Sequence, residues 1–103
     1  MSTESIGDKL RQLREYQLLS LRKVAVLIDV DVAILSKMER GERKLTKEIV
    51  RKLAKIYNYN ENELLVNFLS DKIVNELNDE ELSIDALKEA EEKIMYLKTK
   101  RKQ

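Results

Sequence analysis

A chain of 103 residues allows one domain, or one domain with an appendage, around a core of modest size. With no His and no Cys, it lacks the usual general base, the thiol nucleophile, any disulfide framework and the ligands of most zinc sites. The net charge of +1 hides a division: residues 1–57 hold 13 Lys+Arg against 8 Asp+Glu, residues 58–97 hold 3 against 11, and residues 98–103 add 4 basic side chains.

Proline is absent and there are two glycines among abundant Leu, Ile, Glu and Lys, so the expected fold class is all-α. Ile6, Leu10 and Leu13 recur at helical spacing and predict a first helix over about 4–17. Ser20 can cap a short second helix over about 21–28, with Val24, Leu27 and Ile28 on its apolar side. "DVD" interrupts, and Asp31 can cap a third helix over about 32–40, which Gly41 would end. Thr46 can cap a fourth over about 47–57, with Val50, Leu53, Ala54 and Tyr57 inward. Asn60 with Glu63 reads as a capping box opening a fifth helix over about 61–77. A sixth starts between Asp79 and Ile84 and runs towards residue 100.

Helices two and three are separated by about three residues, which forces a sharp corner of the helix-turn-helix kind. At about 100° per residue, Leu35 and Met38 define the inner side of helix three, and Glu39 lies beside it. Ala33, Ser36, Lys37 and Arg40 face outward, so the free side is small near its start and cationic farther along. Arg43, Lys44 and Lys47 follow. Small side chains allow close approach, and flanking cations suit phosphates.

Residues 6–65 resemble the helix-turn-helix family of Cro, phage repressors and xenobiotic-response-element-type bacterial regulators. The resemblance lies in "GDKLRQLRE", "LSLRKVAVLIDV", "ILSKMERGER" and "IVRKLAKIYNYNENELL", in the family's order and spacing. It implies a five-helix repressor-like DNA-binding domain over residues 1–65; the residues that follow, 66–103, read as a C-terminal helical extension with an amphipathic last helix. It also implies an ion pair between Arg14 and Glu39, base reading by Val32, Ala33, Ser36 and Lys37, and phosphate contacts by Arg40, Arg43, Lys44 and Lys47. The sequence departs from the family pattern at several positions. Leu18 stands for a glycine, Leu21 for a phosphate-binding glutamine, and Leu45 for a proline. Asp29 and Asn58 stand where glycine is frequent, and both residue types tolerate positive φ better than most.

Beyond the pattern, Ile84, Leu87, Ala90, Ile94 and Leu97 form a near-heptad stripe, and Leu65, Phe68, Leu69, Ile73 and Leu77 a comparable one. Phe68, Leu69, Ile73, Leu77, Leu87, Ile94 and Leu97 are the expected dimer interface, since a small regulator reading two half-sites needs two recognition helices. The alternative is that helix six folds back on its own domain. The pairs Glu80/Glu81 and Glu91/Glu92 read as solvation, the tyrosines as core packing, and "KTKRKQ" as a solvated end.

No phosphate-cradling glycine loop, signal-like segment or membrane-span-length apolar run occurs, so a cytoplasmic non-enzyme without cofactor or metal is expected. The expected function is a homodimeric transcriptional regulator on double-stranded DNA, with restriction-modification controllers among its compact relatives. The alternative is a protein-interaction module or antitoxin whose acidic C-terminal helices bind a partner protein.

Overall fold

The computed structural model describes residues 3–101, so Lys102 and Gln103 of the basic end lie outside the described residues. Among them there are six helices and no strand: α1 (Ile6–Tyr16), α2 (Leu21–Leu27), α3 (Val32–Glu39), α4 (Lys47–Ile56), α5 (Glu61–Leu77) and α6 (Ser83–Arg101). None is long and apolar enough to cross a membrane.

Side-chain caps start these helices. Ser20 accepts from the Lys23 amide, Asp31 from Ala33, Thr46 from Ile49, and Asn60 from Glu63. Each pairs one of the amides that a first turn leaves without a helical partner. Ser5 does the same for α1 through the Asp8 amide, a cap the apolar spacing alone did not mark.

The ends are equally regular. After each of α1 to α4 one residue turns left-handed: Leu18 (φ 57°), Asp29 (φ 58°), Gly41 (φ 78°) and Asn58 (φ 51°). At each, that residue and its successor donate to carbonyls of the last turn, as in Leu18 to Glu15 and Leu19 to Arg14. The left-handed conformation presses an L residue's Cβ on its own carbonyl. Gly escapes this, and Asp and Asn reduce it. Leu18 does neither, and it is exposed as well.

The chain divides into two compact units after Lys72. In the first, Ile6, Leu10, Val24, Ala25, Ile28, Leu35, Val50, Leu53, Ala54, Tyr57, Leu64 and Phe68 form one core. α3 packs on α1 and α2. The packing against α1 is close because Gly7 has no side chain: a Cβ there would lie 2.5 Å from the Glu39 carbonyl oxygen and 2.9 Å from that of Met38. α5 joins this unit through Leu64 and Phe68, one helical turn apart, and through Asp71. The Asp71 carboxylate accepts from the Ile6 amide at 2.8 Å. Residues 66–72 of the expected extension therefore pack with the first unit.

Phe68 is thereby corrected. It is 4% exposed, filling the core instead of lying open to a second chain. The tyrosines also divide. Tyr57 is buried, and Tyr59 is half-buried under the Lys9 ammonium, but Tyr16 and Tyr96 are exposed.

The second unit holds the end of α5, a turn and α6. Glu80 donates to the Leu77 carbonyl and Ser83 to that of Glu80, which carries the chain from one helix to the next. α6 has no buried residue.

Candidate nucleic-acid interface

α3 is held from behind by a buried ion pair. Arg14 Nε donates to Glu39 Oε2 at 2.8 Å and Nη2 to Oε1 at 3.1 Å, a two-pronged contact. A third bond runs from Arg14 Nη1 to the Leu19 carbonyl at 2.9 Å, so the same guanidinium ties α3 to the turn before α2. Both side chains are largely withdrawn from solvent, at 11% and 5% exposed. The hydrogen bond with Glu39 holds the Arg14 pKa above its ordinary value against the opposing effect of burial.

With Leu35, Met38 and Glu39 turned inward, the opposite side of α3 is free. Val32 is 39% exposed, and Ala33 and Lys37 are exposed beside it. Ser36 is half-buried, and its hydroxyl accepts from Arg40 Nη1. Arg40 is engaged a second time, through Nε to Glu42 at 2.7 Å. That hydrogen bond, with the charges adding to it, raises the Arg40 pKa and lowers that of Glu42. The Lys37 charge lowers Glu42 further. Among the four cations expected to contact phosphates, Arg40 thus has an acidic neighbour in place.

Beyond α3, Gly41 and Glu42 donate to the Met38 and Lys37 carbonyls and reverse the chain. Arg43 and Lys44 follow as exposed side chains, while Leu45 is half-buried against the core. Thr46 caps α4, and Lys47 is the first residue of that helix, exposed. The strand of cations therefore hangs on two fixed points, the Gly41 reversal and the Leu45 anchor. Leu45 supplies the anchor where the resembled family has proline.

The positions expected in a dimer interface are otherwise open: Leu69, Ile73, Leu87, Ile94 and Leu97 are exposed, and Leu77 is half-buried. Glu80, Glu81, Glu91 and Glu92 are exposed as well.

Two residues that build the site escaped the sequence reading. Gly7 lies on the inner side of α1 beside Ile6 and Leu10, and a glycine inside a helical pattern usually marks close packing. Asp71 follows Leu64 and Phe68 at steps of four and three, a line that shares Phe68 with the apolar stripe through Leu65 and Leu69 but otherwise departs from it.

None of the curated proteins compared with the chain matches it. The family model described as Helix-turn-helix domain matches residues 5–65, which is more than half of the chain and covers the braced α2–α3 corner, the basic turn and α4. The chain belongs to the helix-turn-helix domain family.

Proposed function

We propose that the protein is a sequence-specific transcriptional regulator that binds double-stranded DNA as a homodimer on a pseudopalindromic operator. The observation that carries this reading is the free side of α3, small at its start and cationic beyond, on a helix fixed from behind by Arg14 and Glu39. Val32, Ala33, Ser36 and Lys37 read base edges in the major groove. Arg43, Lys44 and Lys47 contact phosphates, and Arg40 joins them by exchanging Glu42 for a phosphate. Residues 1–65 supply the DNA-binding part, and the open apolar positions from Leu69 onward supply dimerisation. Among regulators of the Cro, phage-repressor and xenobiotic-response-element kind, a restriction-modification controller is the narrower reading.

The test is a binding titration over a salt series with the full chain and with a variant carrying Arg43→Ala, Lys44→Ala and Lys47→Ala. Log affinity of the parent should fall steeply against log salt, with a slope near −0.9 per neutralised phosphate, about 2.7 of which the variant loses. Equal slopes would remove this face from the DNA. A second reading, a protein-interaction module, draws on the acidic, unburied α6. It requires that the full chain bind no DNA more tightly than a neutral helical protein does at low salt.

A further inference from the structure

α6 is exposed along its whole apolar stripe, with Ile84, Leu87, Ile94 and Leu97 all open to solvent. Its charge is segregated along its length. From Asp85 to Glu92 it has four acidic residues and one basic residue, Lys88; from Lys93 to Arg101 it has four basic residues and no acidic one. The helix dipole accounts for part of this, since it favours acids in the first turn and bases in the last, but its effect dies away within those turns. Glu89, Glu91 and Glu92 lie in the middle of α6, beyond that reach.

Four of the stripe's five positions also share a centre. Leu87 and Leu97 are equidistant from position 92, as are Ala90 and Ile94. A two-fold axis through that level lays Leu87 of one copy opposite Leu97 of the other, and Ala90 opposite Ile94, the latter a small residue against a large one. The same axis lays the acidic stretch of each copy along the basic stretch of the other. A parallel pair would set acids beside acids and bases beside bases, and such repulsion disfavours that alignment. We propose that α6 pairs antiparallel with α6 of a second copy of this chain, about an axis at the level of Glu92. The pairing is isologous, with each copy offering the same surface, and so it closes at two. It rests on the homodimer reading given above and adds the face and the direction.

The chain has no cysteine, so single thiols can be introduced one at a time. Asp85→Cys, Glu92→Cys and Thr99→Cys fall one heptad apart on the side of α6 away from the stripe, where a spin label leaves the apolar positions intact. Each full-length labelled variant is measured by pulsed dipolar spectroscopy and by sedimentation. The antiparallel pair gives its shortest label separation at position 92. At 85 and at 99 the separation lengthens because the labels are offset by about 21 Å along the axis, from 14 residues at about 1.5 Å each. An equimolar mixture of the labelled 85 and 99 variants should restore the short separation, and raising salt should weaken the dimer. Equal short separations at all three positions would make the pair parallel, and a sedimenting dimer with no coupling at any of them would move the interface off α6. Either result overturns this proposal and leaves the homodimer standing. A chain that sediments as a monomer while it binds DNA overturns both.

Discussion

Gly7 meets the Glu39 carbonyl so closely that a methyl group has no room: its carbon would stand 2.5 Å from the oxygen. The opposing atoms are backbone, held by the end of α3, and cannot swing aside. Gly7→Ala gains about 1 kcal/mol of helix propensity but incurs overpacking of about 3 kcal/mol. Urea unfolding should record a net loss of about 2 kcal/mol. A variant as stable as the parent would mean that α1 and α3 stand farther apart.

Glu39 is the acceptor for two of the three Arg14 bonds, at a site nearly closed to water. Glu39→Ala should cost about 3–5 kcal/mol, because it leaves the guanidinium buried without its counter-charge. Replacing the pair together, as Arg14→Met with Glu39→Leu, should cost less than that single change, since no charge is left stranded. A double-mutant cycle read by chemical denaturation measures the coupling. Additive losses would show that the two side chains act separately.

Tyr57 is buried, and its hydroxyl has no hydrogen-bond partner among the described residues. Burial pushes its pKa well above the ordinary tyrosine value, with the Glu39 charge adding to it. The folded state therefore keeps this proton while the unfolded chain loses it near pH 10. Stability from this group is whole below about pH 10 and falls above it, by at most about 1.4 kcal/mol per pH unit. Tyr57→Phe should match or exceed the parent at pH 7, by up to about 1 kcal/mol, and its advantage should widen from pH 10 to 11. Melting curves at the two pH values decide it. A clear loss at pH 7 would mean that the hydroxyl is satisfied.

Val32 and Ala33 carry no hydrogen-bonding side chain, so in a major groove they can recognise only an apolar feature, and the thymine methyl is the one available. Half-sites should present thymines to them and a guanine within reach of Lys37. Exchanging those thymines for uracil removes the methyl groups alone. Each critical methyl should reduce affinity by about 0.8 kcal/mol, comparable to a buried methylene. Undiminished binding would leave specificity to Lys37, Ser36 and DNA shape.

Much of this architecture is written locally. Ser20, Asp31, Thr46 and Asn60 each cap through an amide two or three residues away, so sequence spacing reveals the helix starts. The inner side of α3 follows from periodicity for the same reason. Gly7, Asp71 and Phe68 are different, because each has its meaning in a partner far along the chain. Asp71 bonds a residue 65 positions away, and nothing near it announces that. Tyr16 resembles a core residue by type but lies at the end of α1, 84% exposed, past the last turn that packs. Periodicity places Arg40 on the outward side of α3 but does not reveal its partner Glu42, which lies beyond the helix end, where wheel geometry no longer applies.

The bond between the Ile6 amide and Asp71 also sets an order of events during synthesis. A ribosome adding about 5–20 residues per second needs roughly 3–13 s to travel from the first of these residues to the second. Throughout that interval Ile6 and Leu10 have been made, but the start of α1 lacks its distant carboxylate, and Phe68 is missing from the core for nearly as long. The packing around α1 therefore cannot be completed until the first half of α5 has been made. The domain closes late, when the residue that secures its beginning is among the last of its own residues to be made.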